Sequence, residues 1–242
     1  MAAVLEALEA CRATAEDLGA ARVLAVATSA TRDVDDPGAF LDAAEEVLGV
    51  RPRTISGLEE ARASYRGVLA GTGFAPPLTV VDVGGGSTEI VSGGGPEPER
   101  VLSIDLGSVR LTDRLLRPLP ADPDRLAAAR AMAREHFAAS GPAEGTVVAV
   151  GGTAATVSRL VEGDPRATIG LDDVEAVIAR LAPRDVGGIA ALGVPEGRAD
   201  VILGGAIVLA AALAALEVDE FVVSRHDLLD GFAAALAGGQ DS

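Results

Sequence analysis

An α/β fold with mixed sheets is predicted by three features of this 242-residue sequence. Short runs of β-branched residues alternate along the chain with Ala-rich stretches of helical spacing. Two valine-rich runs, 79–83 and 146–150, pass directly into glycine turns, Gly84-Gly85-Gly86 and Gly151-Gly152-Thr153. One apolar run, 201–216, lies between Asp200 and Glu217 and falls short of the roughly 20 residues that cross a bilayer, so it reads as a buried helix.

The elements follow in order. Residues 2–18 are rich in Ala, Leu and Glu, with Val4, Leu5, Leu8 and Cys11 at helical spacing and Gly19 as the stop. Residues 22–27 predict a strand that ends in a polar loop of hydroxyls and one Arg, Thr28-Ser29-Ala30-Thr31-Arg32-Asp33. An amphipathic helix over 40–48 closes at Gly49, and 53–55 is a short strand leading into Ser56-Gly57. A helix begins at Glu59, because Glu59 and Glu60 stand in a first turn where the helix dipole favours negative charge and 61–70 holds good helix formers. Gly71, Gly73, Pro76 and Pro77 end it and mark the boundary between a first domain over 1–77 and a second over 78–242. In the second domain, 79–83 and 87–92 make two strands around the first glycine turn, and 100–105 pairs back as a third. Helices are expected over 108–116, 126–139, 154–160, 172–181, 201–216 and 227–236, with strands at 146–150 and 220–224.

Composition excludes several classes. Hydrophobic residues make up 49% of the chain, enough for a substantial core. The formal net charge is −16 and the sequence holds no Lys, which argues against general nucleic-acid binding, since that needs a positive surface to displace counterions. A polyanionic ligand must therefore be met locally, by Arg, whose planar fork suits phosphate. Cys11 is the sole cysteine, so no intrachain disulfide forms, a reducing compartment is expected, and the thiol reads as a small buried hydrophobe. Residues 1–10 carry Glu6 and Glu9 where a signal peptide would need a basic end, and the expected location is the cytoplasm, away from membranes.

The chemistry is concentrated at 78–89. Asp82 closes a short strand. Gly84, Gly85 and Gly86 can adopt conformations closed to other residues, so that their N–H groups converge on an anion. Ser87 and Thr88 add hydroxyl donors, and Asp82 with Glu89 offers hard oxygen ligands for Mg²⁺ accompanying a phosphorylated substrate. A Walker A loop is excluded because it needs a Lys. A dinucleotide fingerprint is excluded because the glycines lead into a strand and not a helix. The competing reading is a Gly-rich hairpin with polar residues in solvent, against which the two flanking acids weigh. His136 and His226 have no Cys or His partners in sequence and read as structural.

Four ordered motifs, Ala-Thr-Ser-Ala-Thr-Arg-Asp at 27–33, Ile-Ser-Gly-Leu-Glu-Glu-Ala-Arg at 55–62, Val-Val-Asp-Val-Gly-Gly-Gly-Ser-Thr-Glu at 80–89 and Asp-Leu-Gly-Ser-Val-Arg-Leu-Thr at 105–112, resemble the exopolyphosphatase/guanosine pentaphosphate phosphohydrolase family. Gly151-Gly152-Thr153, Arg198 with the apolar run at 201–206, and Val223-Ser224 extend the resemblance across essentially the whole chain. It implies the actin-like (ribonuclease H-like) ATPase superfamily, whose two α/β domains close on a phosphate-bearing ligand. It implies Glu60 as the general base that activates water, with Glu59 the alternative. By the same resemblance Arg32 grips substrate phosphate, Gly84, Gly85, Gly86, Ser87 and Thr88 cradle it, and Asp82 with Glu89 holds Mg²⁺. Arg62 is as apt to anchor its helix as to touch substrate.

Members of the family begin with a strand and a first phosphate loop of Asp-x-Gly-Ser-Asn type, which have no counterpart in these residues, so the first domain is expected to be N-terminally truncated and 23–26 to have an open edge. Three functional readings follow. The first is a Mg²⁺-dependent phosphohydrolase releasing terminal phosphate from polyphosphate or guanosine pentaphosphate. The second is a catalytically weak or silent polyphosphate- or nucleotide-binding module, and the third an actin-like sugar or acetate kinase, which gives no reason for the Ser-Gly-x-Glu-Glu-Ala-Arg motif. The substrate is left open between polyphosphate and guanosine pentaphosphate, and the resemblance makes a homodimer a possible assembly.

Overall fold

The computed structural model describes residues 2–32, 36–71, 73–161 and 168–238, with the side chain of Arg32 outside that description. The chain forms two compact units, one of Met1–Ser56 with Phe232–Ser242 and one of Gly57–Gly231.

The first unit comprises α1 (Ala2–Asp17), β1 (Val26–Ala27), α2 (Ser29–Arg32), α3 (Pro37–Leu48) and β2 (Arg53–Thr54). Asp36 starts α3 by accepting the Ala39 amide at 3.1 Å, and Pro37 takes a first-turn position where its missing N–H costs nothing. Gly49, at φ 71°, ends it in the left-handed conformation. β1 and β2 pair in parallel, Val26 opposite Arg53. α1 lies along α3, and the Arg12 guanidinium donates to the Val47 carbonyl at 2.9 Å. The apolar spacing of α1 gives a helix, yet none of its residues is buried. Cys11, expected inside, is exposed, because no layer among the described residues covers that face. Val23 and Leu24 are exposed as well. The loop expected at 28–33 contains the helical turn α2, and Asp33 lies outside the described residues.

The second unit opens with α4 (Gly57–Ala70), followed by β3 (Leu78–Val83), β4 (Thr88–Gly93) and β5 (Arg100–Ile104). Then come α5 (Ser108–Leu111), which continues as a π turn over Thr112–Leu116, α6 (Pro123–Phe137), β6 (Thr146–Val150) and α7 (Gly151–Leu160). β7 (Ile169–Gly170), α8 (Leu171–Leu181), α9 (Val186–Ala190), α10 (Glu196–Ala199), α11 (Ile202–Ala215), β8 (Glu220–Val223) and α12 (Leu228–Ala237) complete the order, and the division at Gly231 falls within α12.

Six strands form one mixed sheet in the order β5-β4-β3-β6-β8-β7. The β5–β4–β3 pairs are antiparallel, β3–β6 and β6–β8 parallel, and β7 antiparallel to β8. Both faces are covered, so successive residues of β3 go to opposite cores. Val80 joins Ala61, Tyr65 and Val68 of α4 on one face, while Val81 and Val83 join the large core around α11 on the other. α11 is packed by α5, α6, α7 and α8 and is buried from Ile202 to Leu213, as its unbroken apolar run requires. No helix among the described residues is long and apolar enough to cross a membrane.

The units part at Ser56 and Gly57 and not at Pro77, where the sequence reading set its boundary. The Gly/Pro cluster at 71–77 does end a helix, but that helix packs forward onto β3, β4 and β5. Gly67 and Gly231 tighten the packing further. A Cβ on Gly67 would strike the Asp227 carbonyl, and one on Gly231 the Ala63 carbonyl.

Candidate active site

The site lies on the α4 face of the sheet, where the register aligns a row of polar groups. Asp82 of β3 stands opposite Glu89 of β4, and Glu89 opposite Ser103 of β5. Directly opposed residues share a face, so the two carboxylates are neighbours. Glu60, in the first turn of α4, is 9% exposed, and its charge acts on both. Glu59 is only half-buried and contributes to neither shift. The Ser64 hydroxyl, one helical turn beyond Glu60, donates to Asp82 Oδ2 at 2.9 Å, and the Ser103 hydroxyl to Glu89 Oε1 at 2.8 Å.

Enclosure by protein and like charge make ionisation costly here. Burial pushes Asp82 up to about 6, with the Ser64 hydrogen bond opposing and the charges of Asp227 and Glu60 adding. Burial pushes Glu89, 3% exposed, up to about 8, with hydrogen bonds from Ser103 and Ser87 opposing and the charges of Glu60 and Asp82 adding.

Beside this row runs the Gly84-Gly85-Gly86 turn. Its carbonyls are tied back into the protein. The Ser108 amide donates to Gly84 O at 2.9 Å, the Val109 and Arg110 amides to Gly85 O at 2.9 and 3.1 Å, and Arg110 Nε to Gly86 O at 2.9 Å. The Gly84 amide closes on Ser87 O at 3.0 Å, while the Gly85 and Gly86 amides have no acceptor among the described residues. Amides without acceptors beside anchored carbonyls leave donors available for an anion. The reason for glycine differs from the one the sequence suggested: neither Gly84 nor Gly85 has a positive φ. Close packing favours small residues instead, mildly at Gly84 and tightly at Gly107, which packs on the turn. A Cβ on Gly84 would lie 3.1 Å from Ser87 O, and one on Gly107 would fall 2.5 Å from Gly85 O. Thr88, expected to face phosphate, is fully buried and donates its hydroxyl to Leu106 O at 2.6 Å. That bond braces the hairpin. Ser87 is buried too, and its hydroxyl serves Glu89.

The second glycine turn meets the first. Gly151 opens α7 at φ 76°, and a Cβ there would lie 2.7 Å from Asp82 Oδ1. Thr153 in the first turn of α7 donates to Val83 O at 3.0 Å. A Cβ on Gly152 would strike the guanidinium of Arg198, an exposed side chain with no acceptor among the described residues. A cation thus stands beside the N-terminus of α7, which itself favours negative charge. In the sequence Arg198 is marked only by its place in a motif, and Asp227 does not stand out as a site residue. Neither is adjacent in sequence to the glycine turns; the signals were Gly152 and the acid just before the last helix.

Other sequence candidates fall outside the row. Arg32 ends α2 in the first unit, and its side chain lies outside the described residues. Arg62 Nη1 reaches the Leu58 carbonyl of its own helix at 3.5 Å. His136 bonds the Met132 carbonyl and His226 the Asp230 carboxylate, both locally, as structural histidines do. No group of three His, Cys, Asp or Glu capable of holding a metal occurs among the described residues. Asp82 and Glu89 nevertheless suit Mg²⁺, which takes one or two carboxylates and completes its shell with water and substrate phosphate, and whose charge would offset the repulsion at this row.

Residues 1–236 match the model of the Ppx/GppA phosphatase family. Exopolyphosphatase 2 of Mycobacterium tuberculosis is 40% identical over 248 residues, covering 90% of this chain and 76% of its own length. The crystal structure of an exopolyphosphatase-like protein superposes with a TM-score of 0.85 at 31% identity, over 97% of this chain and 82% of that chain. The Aquifex aeolicus member of the Ppx/GppA family superposes with a TM-score of 0.80 at 24% identity, over 99% of this chain and 81% of that chain. The mixed α/β sheet is accordingly the actin-like fold of these proteins.

Proposed function

This chain belongs to the Ppx/GppA phosphatase family and is a phosphoanhydride hydrolase, and on that premise we propose that it releases terminal orthophosphate from inorganic polyphosphate with Glu60 as the general base. One observation carries the reading: Asp82 and Glu89 share one face of the hairpin, Glu60 in the first turn of α4 acts on both by its charge, and the adjoining glycine turn has two amides without acceptors among the described residues. The exopolyphosphatase at 40% identity supports polyphosphate as the substrate.

The Gly85 and Gly86 amides and the Arg198 guanidinium receive non-reacting oxygens of the terminal phosphoryl group. Glu60 takes a proton from water as the water oxygen attacks the terminal phosphorus. The bond from that phosphorus to the bridging oxygen breaks, and the polyphosphate, one unit shorter, leaves with the electron pair. Asp82 and Glu89 would hold Mg²⁺, which neutralises charge on the transferred phosphoryl group when bound. Glu60 suits a base better than Glu59 because its charge is felt at both of these carboxylates.

Phosphate release tests the proposal. The purified chain with Mg²⁺ is expected to release orthophosphate from polyphosphate and to stop when EDTA is added. Release from guanosine pentaphosphate alone would reassign the substrate. Binding of both without release from either would make the chain a silent binding module.

A further inference from the structure

We propose that Ser64 and Ser103 are positioning residues through which one face of α4 fixes the directions of the Asp82 and Glu89 carboxylates. The inference rests on the reading of those two carboxylates as cation ligands, and it concerns what holds them in place. Two like charges set opposite each other on adjacent strands repel, and each can turn about its own side-chain bonds. A hydroxyl donor fixed on one oxygen of each removes that freedom. Ser64 Oγ donates to Asp82 Oδ2 at 2.9 Å, while Oδ1 is the oxygen that lies against Gly151. Ser103 Oγ donates to Glu89 Oε1 at 2.8 Å from the register position directly opposite.

Helix α4 links the two pairs. Gly57, Glu60 and Ser64 stand at i, i+3 and i+7, the spacing of one helix face. Ser64 is 1% exposed and sends its hydroxyl across to the sheet, where a buried unpartnered hydroxyl would be costly. At Gly57 a Cβ would fall 2.6 Å from Ser103 Cβ and 3.4 Å from Glu89 Oε1, so only glycine lets α4 start directly over that pair. One face therefore supplies clearance for Ser103, the carboxylate proposed as base, and the donor to Asp82. Partners that orient metal ligands typically change affinity by about 10- to 100-fold when removed.

The test is Mn²⁺ binding to the substrate-free protein, followed by electron paramagnetic resonance, beside the Mg²⁺ concentration that half-saturates phosphate release. Ser64→Ala and Ser103→Ala are each expected to raise the Mn²⁺ dissociation constant and the Mg²⁺ requirement by about tenfold or more. Turnover at saturating Mg²⁺ should be largely recovered, and Ser64→Thr and Ser103→Thr, which keep the hydroxyl, should restore cation affinity. Gly57→Ala should reproduce Ser103→Ala by displacing that serine. Ser103 is exposed, so its variants carry the test even if Ser64→Ala fails to fold. Wild-type Mn²⁺ affinity in Ser103→Ala and Gly57→Ala would overturn the inference while leaving the cation site standing. A wild-type protein that binds no Mn²⁺ and works unchanged in EDTA would overturn the reading of Asp82 and Glu89 themselves, and this inference with it.

Discussion

Glu89 ionises only near pH 8 in this fold, against an ordinary value of 4.5, chiefly because burial penalises its charge. A carboxyl whose folded value is raised contributes stability that is fully present below the unfolded value and is lost as pH rises through the folded one. Without divalent cations, urea unfolding from pH 5 to 9 is therefore expected to show the wild type losing stability relative to Glu89→Gln, with the loss complete above about 8. A flat difference between the two proteins would contradict the shift. Glu59→Gln should be milder than Glu60→Gln, measured as phosphate release, because Glu59 adds to neither carboxylate's shift. At this scale Asp82, Glu89 and Glu60 stand out in the sequence, since acids beside a glycine turn or in a helix's first turn are visible locally, and the structure brings their charges within reach of one another. The sequence misleads at Thr88, whose hydroxyl belongs to Leu106 O, and does not single out Arg198 and Asp227, because tertiary packing alone brings those partners together.

The glycine turn and α5 act as one element, with the first amides of α5 holding the carbonyls of the turn. Gly107→Ala places a Cβ 2.5 Å from Gly85 O and should cost about 1–3 kcal/mol in urea unfolding, together with loss of phosphate affinity by titration. Gly85→Ala meets only the Val109 methyl at 3.3 Å and should be much milder. Equal effects would mean that backbone contact with α5 does not shape the turn. The two strands and the hairpin were legible here from β-branched residues around three glycines, and α11 from its unbroken apolar run. β7, α9 and α10 were not, since segments of two to five residues carry no readable period. The helical spacing of Val4, Leu5, Leu8 and Cys11 was read correctly as a helix, but periodicity does not reveal whether anything covers the face.

Across the whole molecule the two units differ in how much they bury. The sheet of the second unit is covered on both faces and α11 is enclosed, whereas in the first unit α1 buries nothing and β1 and β2 have two residues each. Hydrogen exchange is expected to find slow amides in β3, β6 and α11 and fast ones in β1, because protection follows buried contact and ladder length. Uniform protection would contradict that contrast. The sequence conveyed the α/β class and the mixed sheet but set the division at the Gly/Pro cluster, because breakers mark where elements end and not which partners a helix packs against. Attack by water activated by Glu60, as proposed, is checked by turnover of polyphosphate in ¹⁸O-labelled water, comparing the wild type with Glu60→Gln. The wild type should place one solvent oxygen in each orthophosphate released, and the variant should bind polyphosphate normally but release phosphate about 10²- to 10⁴-fold more slowly. Undiminished release of labelled phosphate by Glu60→Gln would contradict the account.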